Sequence, residues 1–94
     1  MQTFTSFTQS PESVLDYGVD WTAWLSEGEY IIGVPVVTVD SGLTLYKPGQ
    51  AFGGVVAFWL SGGTSGQQYN VSCEITTNQG RTDVRSFILK VWPT

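Results

Sequence analysis

The sequence has no histidine, a single cysteine and only four basic residues among its 94 residues. A lone cysteine, Cys73, cannot form an internal disulfide or hold a metal by itself. Without histidine, a zinc or iron site would depend on carboxylates alone, and a serine or threonine nucleophile would lack its usual base. These absences predict that the protein is not an enzyme and holds neither a metal nor another cofactor.

Basic residues are also too scattered to follow a phosphate backbone, and the net charge of the chain is −4. Nucleic acid is therefore not an expected partner. No apolar run approaches the length that crosses a bilayer, and the N-terminal residues lack the basic start and apolar stretch of a signal peptide. We expect no membrane contact, and synthesis and assembly in the cytoplasm of the cell that makes the protein.

The residues that are present favour a filled core. Charged residues make up 13% of the chain, hydrophobic residues 41% and aromatic residues 14%. Few charges with many aromatics indicate a packed interior and some surface that a neighbouring chain covers. The length suits one domain, predicted over residues 10–94. Residues 1–9 are either the first strand of this domain or an arm that adds a strand to a neighbour's sheet.

Glycine and proline punctuate the chain at short intervals, and the runs between them are rich in Val, Ile, Thr, Tyr, Phe and Trp. This spacing is typical of an all-β sandwich or barrel. No window keeps the 3.6-residue period of a helix over the ten or more residues that a stable helix needs. Eight strands are predicted, near residues 3–8, 14–20, 29–33, 36–40, 43–47, 54–60, 68–76 and 84–92.

The last two predicted strands form the clearest hairpin. Apolar and polar residues alternate along the stretch "QYNVSCEITT", as the period of two in a half-buried strand requires. The apolar face consists of Tyr69, Val71, Cys73 and Ile75 on the first strand and Phe87, Leu89 and Val91 on the second. Between the strands, Gly80 suits the left-handed position of a three-residue loop.

Two single residues carry further structural predictions. Tyr69 follows a turn near the start of its strand, so it is either an ordinary half-buried tyrosine or a tyrosine corner whose hydroxyl bonds to upstream backbone. Pro35 interrupts an apolar run and predicts an edge strand or a bulge.

Asp16 and Asp20 lie four residues apart in "VLDYGVDWTAWL". On one strand, their Cα atoms would be roughly 13 Å apart, which exceeds the spacing of a glycosidase pair. The surrounding residues also lack the spacing of a calcium loop. We therefore expect both carboxylates to be solvated or paired with a base, with Arg81 or Arg85 as the partner.

Four tryptophans are many for so short a chain. Trp21 and Trp59 lie in apolar strand patterns and are predicted to be core residues. Trp24 lies in a predicted turn and Trp92 shares a strand face with Lys90, so these two are candidate interface residues.

Three segments together resemble small virion proteins of tailed bacteriophages, in particular phage fibre–tail adaptors. They are "SPESVLDYGVDWTAWL", "GLTLY" and "FWLSGGTSGQQYNVSCEITTNQGRTDVRSFILKV". The resemblance covers roughly residues 10 to 91. It implies an immunoglobulin-like or fibronectin-III-like antiparallel β-sandwich of about seven to eight strands, with no catalytic residues.

The resemblance also implies partners and places for the functional residues. We expect contacts with other virion proteins of the tail, the fibre or the capsid, and a homo-oligomer within a symmetric assembly. Candidate interface residues are Trp24, Trp92, Tyr46 and Phe52. Candidate structural residues are Tyr69, Gly80, Arg81, Asp83, Asp16, Asp20, Trp21 and Trp59.

Two other functions stay open at this point. A capsid decoration protein of the same fold would have the same sequence features. A carbohydrate-binding module could use Trp24, Trp92 or Tyr46 as a stacking platform.

Overall fold

A computed structural model describes residues 6–92 and contains seven strands in two sheets. The strands are β1 (Ser6–Gln9), β2 (Val14–Asp20), β3 (Ile31–Val39), β4 (Leu43–Phe52), β5 (Val55–Gly62), β6 (Gln68–Thr77) and β7 (Thr82–Val91). No helix is present in this part of the chain, and hence none that could span a membrane. The all-β prediction is confirmed.

The two sheets form a sandwich. One sheet has four strands in the order β1–β7–β6–β3, and the other has three strands in the order β2–β5–β4. Four of the five described strand pairs are antiparallel, whereas β1 runs parallel to β7. The finer assignment to the immunoglobulin-like class stays a prediction.

β3 differs most from the expected strands. The two strands predicted near residues 29–33 and 36–40 are one continuous edge strand. Its pairing with β6 shifts register between Ile32 and Val36, where Gly33 takes a φ of 72° and Pro35 is buried. Proline has no N–H to donate, so it is accommodated at a bulge on a sheet edge. The prediction from Pro35 is therefore confirmed, and the count of eight strands is corrected to the seven observed.

The core lies between the sheets and follows the predicted faces of the C-terminal hairpin. The side chains of Val71, Cys73 and Ile75 are buried, and Tyr69 is nearly so. The other buried apolar residues of the core include Phe87, Leu89 and Val91 on β7, Val56, Phe58 and Leu60 on β5, and Trp21 directly after β2. Burying each large apolar side chain contributes about 1.5–3 kcal/mol. Phe58 and Phe87 stack across the two sheets with ring centroids 6.1 Å apart.

The β6–β7 turn has the predicted geometry. Thr77 N–H donates to the carbonyl oxygen of Arg81 over 2.8 Å, which closes a loop of three residues ending at Gly80. Gly80 has a φ of 81°, in the left-handed region that glycine occupies without strain. The prediction of a three-residue loop with Gly80 in this conformation is confirmed.

The Tyr69 hydroxyl accepts a hydrogen bond of 2.7 Å from the Thr64 backbone N–H, five residues upstream. This is the bond of a tyrosine corner, which favours that interpretation over an ordinary strand tyrosine. The ring also lies 3.2 Å from where a Cβ on Gly42 or on Gly63 would stand. Tyr69 therefore fixes two glycine turns against the core.

The N-terminal strand is described only from Ser6, so most of the strand predicted near residues 3–8 lies outside the described residues. Gln9, at its end, is buried, and its side-chain amide donates to the carbonyl oxygens of Ser13 and Leu60. The Tyr17 hydroxyl donates to Gln9 Oε1. These bonds tie β1 to the three-stranded sheet.

Candidate docking surface

Six large apolar side chains lie exposed along the side of the sandwich where β3 and β4 form neighbouring sheet edges. They are Tyr30, Ile32, Val34, Val36, Tyr46 and Phe52, and we call this set the β3–β4 side. Val34 is 76% exposed and Phe52 63%. Ile32 and Val36 belong to the outer face of the four-stranded sheet and Phe52 to the outer face of the three-stranded sheet, so the set extends around the edge that β3 and β4 share. Exposed apolar surface marks interaction sites on soluble domains.

The bulge in β3 explains why Val34 projects from the sheet. Gly33, with its positive φ, turns the chain outward, and a Cβ at Gly33 would meet no atom within 4 Å. Bulges re-aim side chains and blunt sheet edges. The backbone thus presents Val34 to solvent while its neighbour Pro35 points into the protein.

β3 and β4 pack closely where Gly49 lies beside Pro35 and Val37. Gly49 of β4 is buried, and a Cβ at this position would stand 3.0 Å from Val37 Cγ2 and 3.5 Å from Pro35 Cβ. Only glycine fits this close approach without a shift of its neighbours. Gly49 therefore allows β4 to approach β3 closely at this point.

Trp59 lies on the outer face of the three-stranded sheet rather than in the core. It is half-buried, and the ammonium group of Lys47 stands 5.2 Å from its ring centroid. With Gln50, Phe52 and Ala57, these two residues line an open depression of about 390 Å³. The prediction of Trp59 as a core residue is wrong, because on central strand β5 the inward positions are Val56, Phe58 and Leu60. The prediction of Trp21 as core is confirmed by its complete burial.

A second cluster joins the Trp21–Glu29 segment to the β6–β7 turn. The Glu29 side chain is inaccessible to solvent, and Arg81 Nη2 lies 2.6 Å from Glu29 Oε1. Thr77 Oγ1 and the Ser26 N–H also donate to this carboxylate. These donors, Arg81 first, lower the pKa of Glu29 from 4.5 to about 2.

The same guanidinium covers Trp24. The Arg81 Cζ atom lies 3.9 Å from the Trp24 ring centroid, and Arg81 Nη2 donates to the Trp24 carbonyl oxygen. The Glu29 bond raises the pKa of Arg81, and the charge of Asp83 adds to this effect. Trp24 is half-buried between this cation and Trp21, so little of its ring is free. A role for Trp24 in an interface stays a prediction.

Asp16 and Asp20 have different surroundings in the structure. Asp20 accepts hydrogen bonds from Thr22 N–H and Oγ1, and these bonds, with the charge of Arg85, lower the pKa of its carboxyl. Arg85 Nη1 donates to the Asp20 backbone carbonyl over 2.8 Å. The expected alternative of an Asp20–Arg81 pair is wrong, since Arg81 is bound to Glu29. Asp16 is exposed on the outer face beside Trp59.

Trp92, directly after β7, is exposed, and its backbone N–H donates to the Gln9 carbonyl oxygen. It lies away from the β3–β4 side, at the end of the sheet that contains β1. Of the four interface candidates, the structure places Tyr46 and Phe52 on the same strand, six residues apart, and Trp24 and Trp92 on other parts of the molecule.

The described residues contain no group of three or more His, Cys, Asp or Glu side chains that could hold a metal ion. Burial raises the pKa of the Cys73 thiol to about 11. At neutral pH this thiol is protonated and enclosed, which is the environment of an inert structural cysteine.

Residues 9–90 match the family described as podophage GP4 fiber-tail adaptor protein gp77. The chain belongs to this family. No curated protein matches it. The resemblance found in the sequence is thereby confirmed, and the family is one of bacteriophage virion proteins with a structural adaptor role in the tail.

For this adaptor, the sequence prediction missed four of the six residues on the β3–β4 side: Tyr30, Ile32, Val34 and Val36. The signal was the run "YIIGVPVV", which is apolar on both strand faces. Such a run predicts a strand covered on both sides, yet β3 lies at a sheet edge with its outer positions exposed. Within this run Pro35 predicts an edge strand or a bulge, and an apolar run on an edge strand is the sequence signal for an exposed apolar surface.

Proposed function

We propose that this adaptor domain is a non-enzymatic docking body of the phage tail and that its β3–β4 side binds a neighbouring virion protein. The observation that carries the proposal is the set of six exposed apolar side chains, five on the edge strands β3 and β4 and one, Tyr30, directly before β3. Interfaces are centred on such residues, with aromatic anchors such as Tyr46 and Phe52 surrounded by smaller apolar side chains.

The charge distribution supports binding by burial of apolar surface. Lys47 and Gln50 are the polar residues at the border of the depression beside Phe52, and no acidic residue lines it. A partner that covers this area meets no carboxylate there, and it must leave the Lys47 ammonium group solvated or supply an acceptor for it, because burying an unpaired charge opposes association.

The two aspartates and the cysteine that the sequence offers for catalysis do not form a reactive site, which supports a structural role. Asp16 and Asp20 lie four residues apart on one strand, and the Asp20 carboxylate is already bound to Thr22. The only cysteine is buried with a protonated thiol. The function then depends on a rigid shape that holds its contacts in place. Several copies in a symmetric tail assembly form part of the proposal.

The first test is location. Cryo-EM of the intact particle, with mass spectrometry of purified phage, is expected to find the chain between tail and fibre. Density at capsid lattice points would instead favour the decoration protein, and absence from the particle would refute a virion role.

The second test examines the surface. Val34→Ser with Phe52→Ser is expected to reduce incorporation of the chain into particles by more than tenfold, because two exposed anchors are lost. The control is Ile88→Ser, which removes a half-buried apolar side chain from β7, on the outer face of the four-stranded sheet and outside the β3–β4 side. Circular dichroism checks that each variant folds. Equal incorporation of all the folded variants would contradict the proposed surface.

A further inference from the structure

The opposite side of the sandwich offers a second docking element, the free edge of β2. Its residues, Val14–Asp20, pair with β5 in an unbroken register of seven, and no strand of the described chain lies on the other side. An unpaired edge presents a row of N–H and C=O groups to an incoming strand.

The other sheet edges of the described chain are less suited to such pairing. β3 contains Pro35 and a register shift, and β4 contains Pro48 and two register shifts. β1 is described over four residues only. Proline and bulges are common means of protecting an edge from strand addition, and β2 has neither.

A groove of about 200 Å³ lies beside the β2 edge, between β2 and β7. Phe7, Val19 and Phe87 provide its apolar lining. Strand addition combines main-chain hydrogen bonds at an edge with pockets for alternate side chains. The groove supplies such a pocket on the inward side of the edge.

Arg85 also lines this groove and has an unmet hydrogen bond. Its Nε is buried without a hydrogen-bond partner, while its Nη1 donates to the Asp20 carbonyl oxygen. A buried N–H without an acceptor is costly. The Arg85 Cζ atom lies 4.3 Å from the Trp21 ring centroid, so the guanidinium packs against the core residue Trp21. Its positive charge disfavours basic side chains in the groove, which leaves the inward positions of an incoming strand to apolar side chains.

Charge selects the incoming strand. Asp16 and Asp20 both lie exposed on the outer face of β2, and no basic residue shares that face of the strand. Antiparallel pairing with a second copy centred on Gly18, which uses the whole of β2, would set Asp16 against Asp20, and like charges opposite each other are destabilising. Residues 1–5 of the chain itself contain no basic side chain.

From these observations we infer that the β2 edge binds, by strand addition, an extended segment of another virion protein in which basic residues alternate with apolar residues. The basic side chains face Asp16 and Asp20, and the apolar side chains enter the groove lined by Phe7, Val19 and Phe87. This inference rests on the proposed docking function and gives the adaptor a second contact, opposite the β3–β4 side.

The test uses the full chain and two synthetic peptides. The probe is Lys-Val-Lys-Val-Lys-Val-Lys, acetylated and amidated, and the control peptide has glutamate in place of each lysine. Hydrogen–deuterium exchange is expected to show that the lysine peptide slows exchange of the alternate β2 amides that do not bond to β5. The glutamate peptide is expected to leave them unchanged.

Charge variants test the selection. Asp16→Asn with Asp20→Asn keeps the Asp20 acceptor for Thr22 and is expected to weaken binding of the lysine peptide about fivefold, measured by fluorescence anisotropy at low salt. Glu27→Gln with Glu74→Gln changes the net charge equally at positions outside β2, the second of them on the other sheet, and is expected to change affinity less than twofold. Equal effects of the two double variants would overturn the inference.

Three other outcomes would also overturn it: protection on β3 or β4 instead of β2, protection of every β2 amide in the dilute free chain, or protection that increases with chain concentration alone. The second would mean that the chain's own residues 1–5 cover the edge, and the third that a second copy does. Failure of the proposed function is distinguishable, because it would appear as absence of the chain from the phage tail.

Discussion

Arg81 forms a salt bridge with Glu29, which lies 52 residues earlier in the chain. Arg81 Nη2 is 2.6 Å from Glu29 Oε1, and Arg81 Nε is 2.9 Å from Glu29 Oε2. This two-pronged geometry matches the planar guanidinium to the carboxylate. The pair fastens the segment between β2 and β3 to the β6–β7 turn. It therefore links the region that precedes the β3–β4 side to the most regular hairpin of the fold.

The first prediction concerns acid stability. The pKa of Glu29 is lowered from 4.5 in the unfolded reference to about 2 in the folded protein. A lowered carboxyl pKa stabilises the fold above the unfolded pKa, and this contribution is lost as pH falls from about 4.5 towards 2. We expect Tm to fall over this window.

Glu29→Gln is the control for that prediction. The variant is expected to have a lower Tm than the parent at pH 7, and the difference is expected to shrink as the pH falls through the window. Thermal denaturation at a series of pH values gives the Tm of both proteins. A difference in Tm that stays constant from pH 7 to pH 2 would contradict the role of the Glu29 carboxylate.

The second prediction compares two adjacent residues on β5. Leu60 is fully buried between the sheets, so Leu60→Ala should lower the free energy of unfolding by about 2–5 kcal/mol. Trp59 faces outward and is half-buried, so Trp59→Ala should cost about 1 kcal/mol, although the residue is larger. Urea denaturation measures both, and a larger loss for Trp59→Ala would place that ring in the core.

The third prediction concerns two glycines with similar backbone angles. A Cβ at Gly80 (φ 81°) would meet nothing within 4 Å, so Gly80→Ala should cost about 1–2 kcal/mol from backbone strain alone. At Gly63 (φ 91°) a Cβ would stand 2.8 Å from Val91 Cγ2, which adds a clash with the core. Gly63→Ala should therefore have the lower urea midpoint, and equal midpoints would be inconsistent with this packing.

The fourth prediction concerns the reactivity of Cys73. Its thiol is buried, and burial raises its pKa to about 11. Iodoacetamide at pH 8 should label the native chain far more slowly than the chain in urea, because the thiolate and access to it both require opening. Mass spectrometry follows the labelling. Equal rates in the two states would show that Cys73 is accessible in the native protein.

Local pattern was sufficient to predict much of this fold. Alternation from Tyr69 to Ile75 identified the buried face of β6, and Gly80 identified its turn. Both depend on the period of two along a strand and on backbone angles, which are encoded within a few residues. Pro35 likewise predicts an edge strand or a bulge from its missing N–H, and β3 has both.

Relationships between distant residues were not predictable in the same way. The pattern of β5 made both faces apolar and could not distinguish the inward Phe58 from the outward Trp59. Glu29 gives no local sign that Arg81 reaches it, so the sequence predicts Arg81 or Arg85 only as a partner of Asp16 and Asp20. Which strands become sheet edges is set by long-range pairing, and this is why most of the β3–β4 side was missed.

The central claim is that a rigid β-sandwich joins virion proteins through opposite sides of its surface. A cryo-EM map of the assembled particle that resolves side chains tests it most directly. We predict that the chain lies between tail and fibre, with Val34 and Phe52 buried against a neighbouring protein. A map in which the chain lies on the capsid, or in which both side chains face solvent, would contradict the account.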